Sequence, residues 1–193
     1  MLLRMRPKMM RLCRMRLFGL YVVLHAAFLV FILMIGYHPI VQGRDPFGIP
    51  VYLHIPETGH KRNTIHGIYT GTQWECVEYV RRWLILKKGV TFNDVKTAAD
   101  VWHLDHVTQV MDGAKLSFQT VADKTQSPPV GAVLVFRPSK QNEHKGHVAI
   151  VVRVVGEDVD ISEQNWDHRR WTGDKSRTIR VKMEPDLLGW KVV

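Results

Sequence analysis

Between Leu17 and Tyr37 the chain runs for twenty-one residues without a charged side chain, interrupted only by His25. As a helix this run would be roughly 31 Å long at about 1.5 Å per residue, close to the hydrocarbon thickness of a bilayer. It fixes how the rest must be divided. Arg4, Arg6, Lys8, Arg11, Arg14 and Arg16 precede it with no acid among them, and only Arg44 and Asp45 follow closely. Positive charge is retained on the cytosolic side of a span. The pattern predicts a basic cytosolic tail at 1–16, a transmembrane signal-anchor at 17–37, and everything beyond on the exoplasmic or lumenal side. The rival reading is a cleaved signal peptide and a secreted product. Its apolar core is typically about 7–15 residues with a small-residue cleavage site nearby, and neither feature fits here.

The same tail accounts for most of the basic character. It holds six of the formal +9 charges, leaving +3 over the other 177 residues. A domain so close to neutral lacks the electrostatic footprint of a nucleic-acid binder, so no nucleic-acid partner is expected. The basic-aromatic run from Trp166 to Trp171 reads as a substrate rim or solvated turn. Cys13 lies in the tail, where it reads as an unmodified thiol more readily than as an acylation site. Cys76 is then the one cysteine of the globular part, and an intramolecular disulfide there is impossible.

A linker and N-terminal arm at 38–60 and a single domain at 61–193 complete the division. Apolar residues recur at helical spacing from Thr72 to Lys88, with Thr72 and Glu75 as a capping box and Gly89 as a stop. A second helix is expected from Asn93 to Met111, ending before Gly113. Strands are then expected at Lys115–Val121, Ala132–Phe136, His147–Val154, Asp158–Glu163, Arg177–Met183 and Leu188–Val192. Helices first and antiparallel strands afterwards predict an α+β domain.

Cys76 falls in the first turn of its helix, where free backbone N–H groups and the positive dipole end favour a thiolate. A buried, inert cysteine is the bland alternative, and Glu75 and Glu78 would oppose ionisation unless they turn away. A hairpin centred near Val155 would set His147 directly opposite Glu163, so the carboxylate could hold one ring nitrogen while the other faces the thiol. A nucleophile, a base and an acid to orient it are what thiol hydrolysis requires. His103, His106 and His144 have no acid at a comparable strand position and read as ordinary polar residues. Glu143, His144, His147 and Glu163 could be grouped as metal ligands, but their spacing is not that of a helical zinc motif.

Gln73-Trp74-Glu75-Cys76-Val77-Glu78-Tyr79-Val80-Arg81-Arg82-Trp83, Gly146-His147-Val148-Ala149-Ile150 and Ser162-Glu163-Gln164-Asn165 resemble the CHAP family of cysteine- and histidine-dependent amidohydrolases and peptidases. The chain is similar in particular to the amidase domain of glutathionylspermidine and trypanothione synthetases, from about Pro46 to Trp190. The resemblance implies a papain-like fold, Cys76 as nucleophile, His147 as base and Glu163 as orienting acid. It also implies that Trp74, Arg81 and Asn165 contribute to substrate binding, and it calls for no metal or other cofactor. One departure is Glu75, where the family usually has Gln, which leaves the Cys76 backbone N–H as the donor to an oxyanion. No ligase domain or phosphate-binding glycine loop follows, so hydrolysis rather than synthesis is expected. The expected substrate is a glutathione–polyamine conjugate, with a small peptide or a peptidoglycan bond of D-alanyl-glycyl type as the alternative.

Overall fold

Val133-Leu134-Val135-Phe136 and Val148-Ala149-Ile150-Val151-Val152 contain no polar alternation, so strands built from them must be covered on both faces. That is their position in the computed structural model, which describes residues 39–55 and 61–193 together with Tyr21. The predicted tail at 1–16 and span at 17–37 otherwise lie outside the described residues. Among those described, no helix is long and apolar enough to cross a membrane.

Two hairpins open the domain, β1 (Val41–Arg44) with β2 (Pro50–Tyr52), and β3 (Arg62–Ile65) with β4 (Ile68–Thr72). Helix α1 (Cys76–Lys88) follows. A small sheet of β5 (Val90–Thr91), β6 (His106–Gln109) and β7 (Lys115–Ser117) comes next. The main sheet contains β8 (Gln119–Val121), β9 (Val133–Phe136), β10 (His147–Val155), β11 (Asp158–Ser162), β12 (Arg177–Arg180) and β13 (Leu187–Val192), in the order β12-β11-β10-β9-β13-β8. Every neighbouring pair in it is antiparallel. The domain is therefore α+β, but its strands begin before α1 rather than after it. On β10, Val148, Ile150 and Val152 share a cluster with Tyr79, Val80, Trp83 and Leu84 of α1. Ala149 and Val151 pack on the other side with Leu134, Phe136, Ile161 and Trp190. This two-sided burial holds the N-terminus of α1 beside the start of β10.

Within residues 39–55, Asp45 ties β1–β2 to α1. Its buried carboxylate accepts from Tyr79 Oη (3.0 Å) and Trp83 Nε1 (2.9 Å), and also from the backbone of Ile49 (2.8 Å).

Several boundaries differ from the sequence reading for local reasons. Helix α1 begins at Cys76, four residues later than expected, because Thr72 is still paired with Arg62 in β4. Glu75 is its N-cap but makes no side-chain capping bond, its carboxylate being engaged by Asn165. Gly89 does end the helix, in the left-handed conformation that glycine adopts without a Cβ penalty. The helix expected over Asn93–Met111 is instead a 3₁₀ turn, Ala98–His103, capped reciprocally by Thr97 and Asp100, followed by β6. β-Branched Val107 and Thr108 suit that strand, with Val107 fully buried. The strand expected over Lys115–Val121 breaks at buried Phe118, so that β7 joins the small sheet and β8 the main one. Likewise β12 gives way after Arg180 to a 3₁₀ turn at Val181–Met183.

The β10–β11 hairpin also has a different register. Val155 pairs with Asp158 across the turn residues Gly156 and Glu157, and a bulge at Val152 shifts the ladder so that Ile150 faces Ser162. Continued past Ser162, this register sets Glu163 level with Ala149, two residues from His147. The two side chains therefore meet along a diagonal instead of directly across the ladder.

Candidate active site

The helical ladder of α1 starts with the bond from Tyr79 N to Glu75 O (3.3 Å), which leaves the amides of Cys76, Val77 and Glu78 outside it. Cys76 occupies the first helical position and is buried. It lines a cleft of about 400 Å³ shared with Glu75, His147, Asn165 and Trp166. Gly146 delivers His147 to this cleft. With φ of 76°, a Cβ there would lie 2.7 Å from both Ala99 Cβ and the Phe136 carbonyl oxygen. Only glycine allows the turn from the preceding loop into β10 at that spacing.

His147 and Glu163 are both buried, and His147 Nε2 lies 3.0 Å from Glu163 Oε2, leaving Nδ1 for Cys76. Burial pulls the imidazole's pKa down. The Cys76 sulfur, through its charge and a side-chain hydrogen bond, and Glu163 outweigh burial and lift the pKa to about 9. Burial likewise pushes the Glu163 carboxyl up. Its bond to His147 and the charges of His147 and Arg177 prevail, and hold it at about 2. At neutral pH both values favour a carboxylate beside an imidazolium, an arrangement that stabilises a neighbouring thiolate.

The two acids nearest Cys76 in sequence are both engaged by other side chains. Glu78 is fully buried, pairs with Arg82 Nε (2.8 Å), and accepts from Gln164 Nε2 (2.9 Å), Asn63 Nδ2 (2.8 Å) and Thr70 Oγ1 (3.1 Å). Glu75 accepts from Asn165 Nδ2 (2.8 Å), with Asn165 in the left-handed region at φ 57°. Gln164 Nε2 also donates to the carbonyl of Glu75 (3.0 Å), securing the residue before the thiol.

Of the residues the sequence singles out, Cys76, His147, Glu163 and Asn165 are brought together, whereas Trp74 and Arg81 do not line the cleft. Trp74 is buried against Tyr52, ring centroids 4.2 Å apart. Arg81 is buried behind the cleft wall, where its Nη1 donates to Asp94 (3.2 Å) and its guanidinium lies 4.8 Å over Phe92. Gln164, Ser176 and Arg177 escaped the sequence reading. Gln164 lies in the polar run Ser162–Asn165, where nothing in the sequence sets it apart from its neighbours. Arg177 is fourteen residues beyond Glu163, across a loop with no periodicity to place it. The rim reading holds for Trp166 and His168, which line the cleft. Trp171 instead closes on β1, where a Cβ at Gly43 would lie 2.3 Å from its ring.

Among the described residues, no group of three or more His, Cys, Asp and Glu is arranged to hold a metal ion. Glu143 is paired with Lys145 (3.0 Å) on the cleft rim, away from the His147–Glu163 contact. His106, the first residue of β6, pairs with the exposed Asp105 that precedes the strand.

A thiol at a helix start, in a cleft with a histidine bonded to a buried glutamate, is the arrangement expected of a cysteine amidohydrolase. Comparison with known proteins makes the assignment specific. Residues 67–165, just over half of the chain, match the CHAP domain, and the chain belongs to the CHAP family. It is 35% identical over 146 residues to the bifunctional glutathionylspermidine synthetase/amidase of Escherichia coli (strain K12), covering 68% of this chain and 24% of that protein. It is 26% identical over 155 residues to trypanothione synthetase of Crithidia fasciculata, covering 79% and 24%. With glutathionylspermidine synthase of Crithidia fasciculata the identity is 31% over 137 residues, covering 64% and 19%. The chain thus spans about a quarter or less of the curated relatives it matches, within the amidase part of the glutathionylspermidine enzyme.

Proposed function

We propose that this chain is a membrane-anchored thiol amidase that cleaves an amide bond of a glutathione–polyamine conjugate through Cys76, His147 and Glu163. The observation that carries the reading is the buried His147, bonded to Glu163 at 3.0 Å and raised to about 9 by Cys76 and Glu163 together. The Cys76 thiolate attacks the amide carbonyl carbon, forming a C–S bond, and the carbonyl oxygen takes the electron pair beside the Cys76 N–H. His147, as imidazolium, passes its proton to the leaving nitrogen, the C–N bond breaks, and a thioester remains. Neutral His147 then takes a proton from water, hydroxide adds to the thioester, and the returning thiolate and imidazolium restore the pair. Glu163 keeps the imidazole oriented throughout without itself exchanging the proton. Asn165 and Arg81 are assigned to substrate placement, Asn165 at the cleft through Glu75 and Arg81 from behind it through Asp94.

Support for the conjugate comes from the similarity to the bifunctional glutathionylspermidine synthetase/amidase of Escherichia coli. The anchor rests on the uncharged run Leu17–Tyr37 and the cations before it. The purified chain is assayed against a glutathione–spermidine conjugate and a D-Ala-Gly peptide. Release of spermidine is the expected result. Cleavage of the peptide alone would replace the conjugate reading with the endopeptidase one, and no turnover of either would remove both substrates.

A further inference from the structure

Glu163 is divided between two tasks. Oε2 faces His147, while Oε1 accepts from Arg177 Nε (2.8 Å) and from Ser176 Oγ (2.8 Å). The second guanidinium nitrogen, Arg177 Nη2, reaches Oε2 at 3.4 Å, so Arg177 spans both oxygens. The same guanidinium lies 4.4 Å over the Trp166 ring and 5.8 Å over Phe136. Trp166 in turn packs 4.7 Å from the His147 ring. One side chain thus contacts both the anion behind the base and the aromatic wall beside it. Its flat fork allows this, since a guanidinium can stack and donate in its plane at once.

We propose that Arg177 is a positioning residue for this site, which clamps Glu163 in its ionised form and in the orientation that serves His147. The proposal rests on the reading of Cys76 and His147 as a thiolate–imidazolium pair. A buried carboxylate meets a large desolvation cost, and without Arg177 only His147 and the neutral Ser176 hydroxyl would remain to offset it. Glu163 is faced by His147 from β10 and by Arg177 from β12, with Cys76 of α1 beyond the imidazole. Glu184, beyond β12, lies 3.7 Å from Arg177 Nη1 and draws on the same cation. Asp160 on β11 is already occupied by Lys175 and Arg153. Removing the guanidinium therefore lets Glu163 take up a proton at a higher pH. Once neutral, it no longer offers the imidazolium a counter-charge, and the pair relaxes to thiol and imidazole.

The test reads the ion pair without needing a substrate. Iodoacetamide alkylation of the Cys76 peptide, resolved from Cys13 by mass spectrometry, is followed against pH for the full chain and for Arg177→Ala, Arg177→Lys and His147→Ala. For Arg177→Ala the acid limb should climb by about one pH unit, roughly a tenfold slower reaction on that limb, with the deficit narrowing toward pH 8. Arg177→Lys, which restores charge without the fork, should recover part of the shift. If Arg177→Ala does not fold, the shift in Arg177→Lys alone decides. An unmoved acid limb, or a loss equal at every pH, overturns the proposal. Alkylation of wild type that is indifferent to His147→Ala would instead remove the ion-pair reading beneath it.

Discussion

At the residue scale, the proposed mechanism is tested first at Cys76 and His147. Alkylation of Cys76 should abolish turnover, and Cys76→Ala should have no activity; a variant that keeps the normal rate would rule out the thiol mechanism. His147→Ala should lose about 10²–10⁴-fold in kcat/KM, the usual worth of general-base assistance. Glu163→Gln should lose less, because it removes charge and orientation but leaves the base. Equal rates for wild type and a folded His147→Ala would refute the assignment, and a larger loss at His144 would move it to the neighbouring loop. The shifted groups also make stability pH-dependent. His147 rises from 6.5 to about 9 on folding, so its contribution is complete below 6.5 and is lost as pH climbs through 9. Glu163 falls from 4.5 to about 2, so its contribution is present above 4.5 and is lost as pH falls through 2. The difference in Tm between wild type and His147→Gln should therefore be largest below pH 6.5 and shrink toward pH 9. A constant difference over that range would show that the imidazole is not charged in the native state.

The elements explain why the site residues were easier to find than the frame that carries them. Cys76 and His147 stand out as chemistry-bearing residues, and each begins a regular element, α1 or β10. The runs of β9 and β10 are apolar enough to announce themselves, and Gly89 marks the end of α1 wherever the helix starts. Strands β1 to β4 left no such trace, since they are three to five residues long and Gly43 and Gly71 interrupt them. Apolar spacing over Asn93–Met111 suited a helix, yet long-range pairing of β6 between β5 and β7 prevailed over local preference. The β10–β11 register was misplaced because a bulge at Val152 has no single-residue signature, and Glu163 reaches His147 along a diagonal. Gly146→Ala would force a Cβ to within 2.7 Å of Ala99 and of the Phe136 carbonyl in a left-handed backbone, a cost of about 1–3 kcal/mol by the usual scale of overpacking. The variant should melt at a lower temperature and lose activity through displacement of His147. An unchanged Tm would show that the loop absorbs the methyl freely.

For the whole molecule, the proposed anchor makes the side of the membrane on which Cys76 would lie the quantity to measure. The sequence reading sets six cations before an uncharged run of bilayer length and little positive charge beyond it, an arrangement that retains the N-terminus in the cytosol. In membranes from cells expressing the full chain, the protein should resist carbonate extraction and its catalytic domain should be protected from protease added on the cytosolic side. A soluble species beginning near residue 40 would identify the run as a cleaved signal, and digestion from the cytosolic side would reverse the orientation. Each outcome bears on the substrate. An exoplasmic Cys76 would meet its glutathione conjugate only after export, in a compartment where an exposed thiolate is open to oxidation. A cytosolic domain would stand in the reducing pool where glutathione is abundant. The protease result therefore decides where the conjugate assay should be matched to the cell: outside the membrane if the domain is protected, and inside it if the domain is cut.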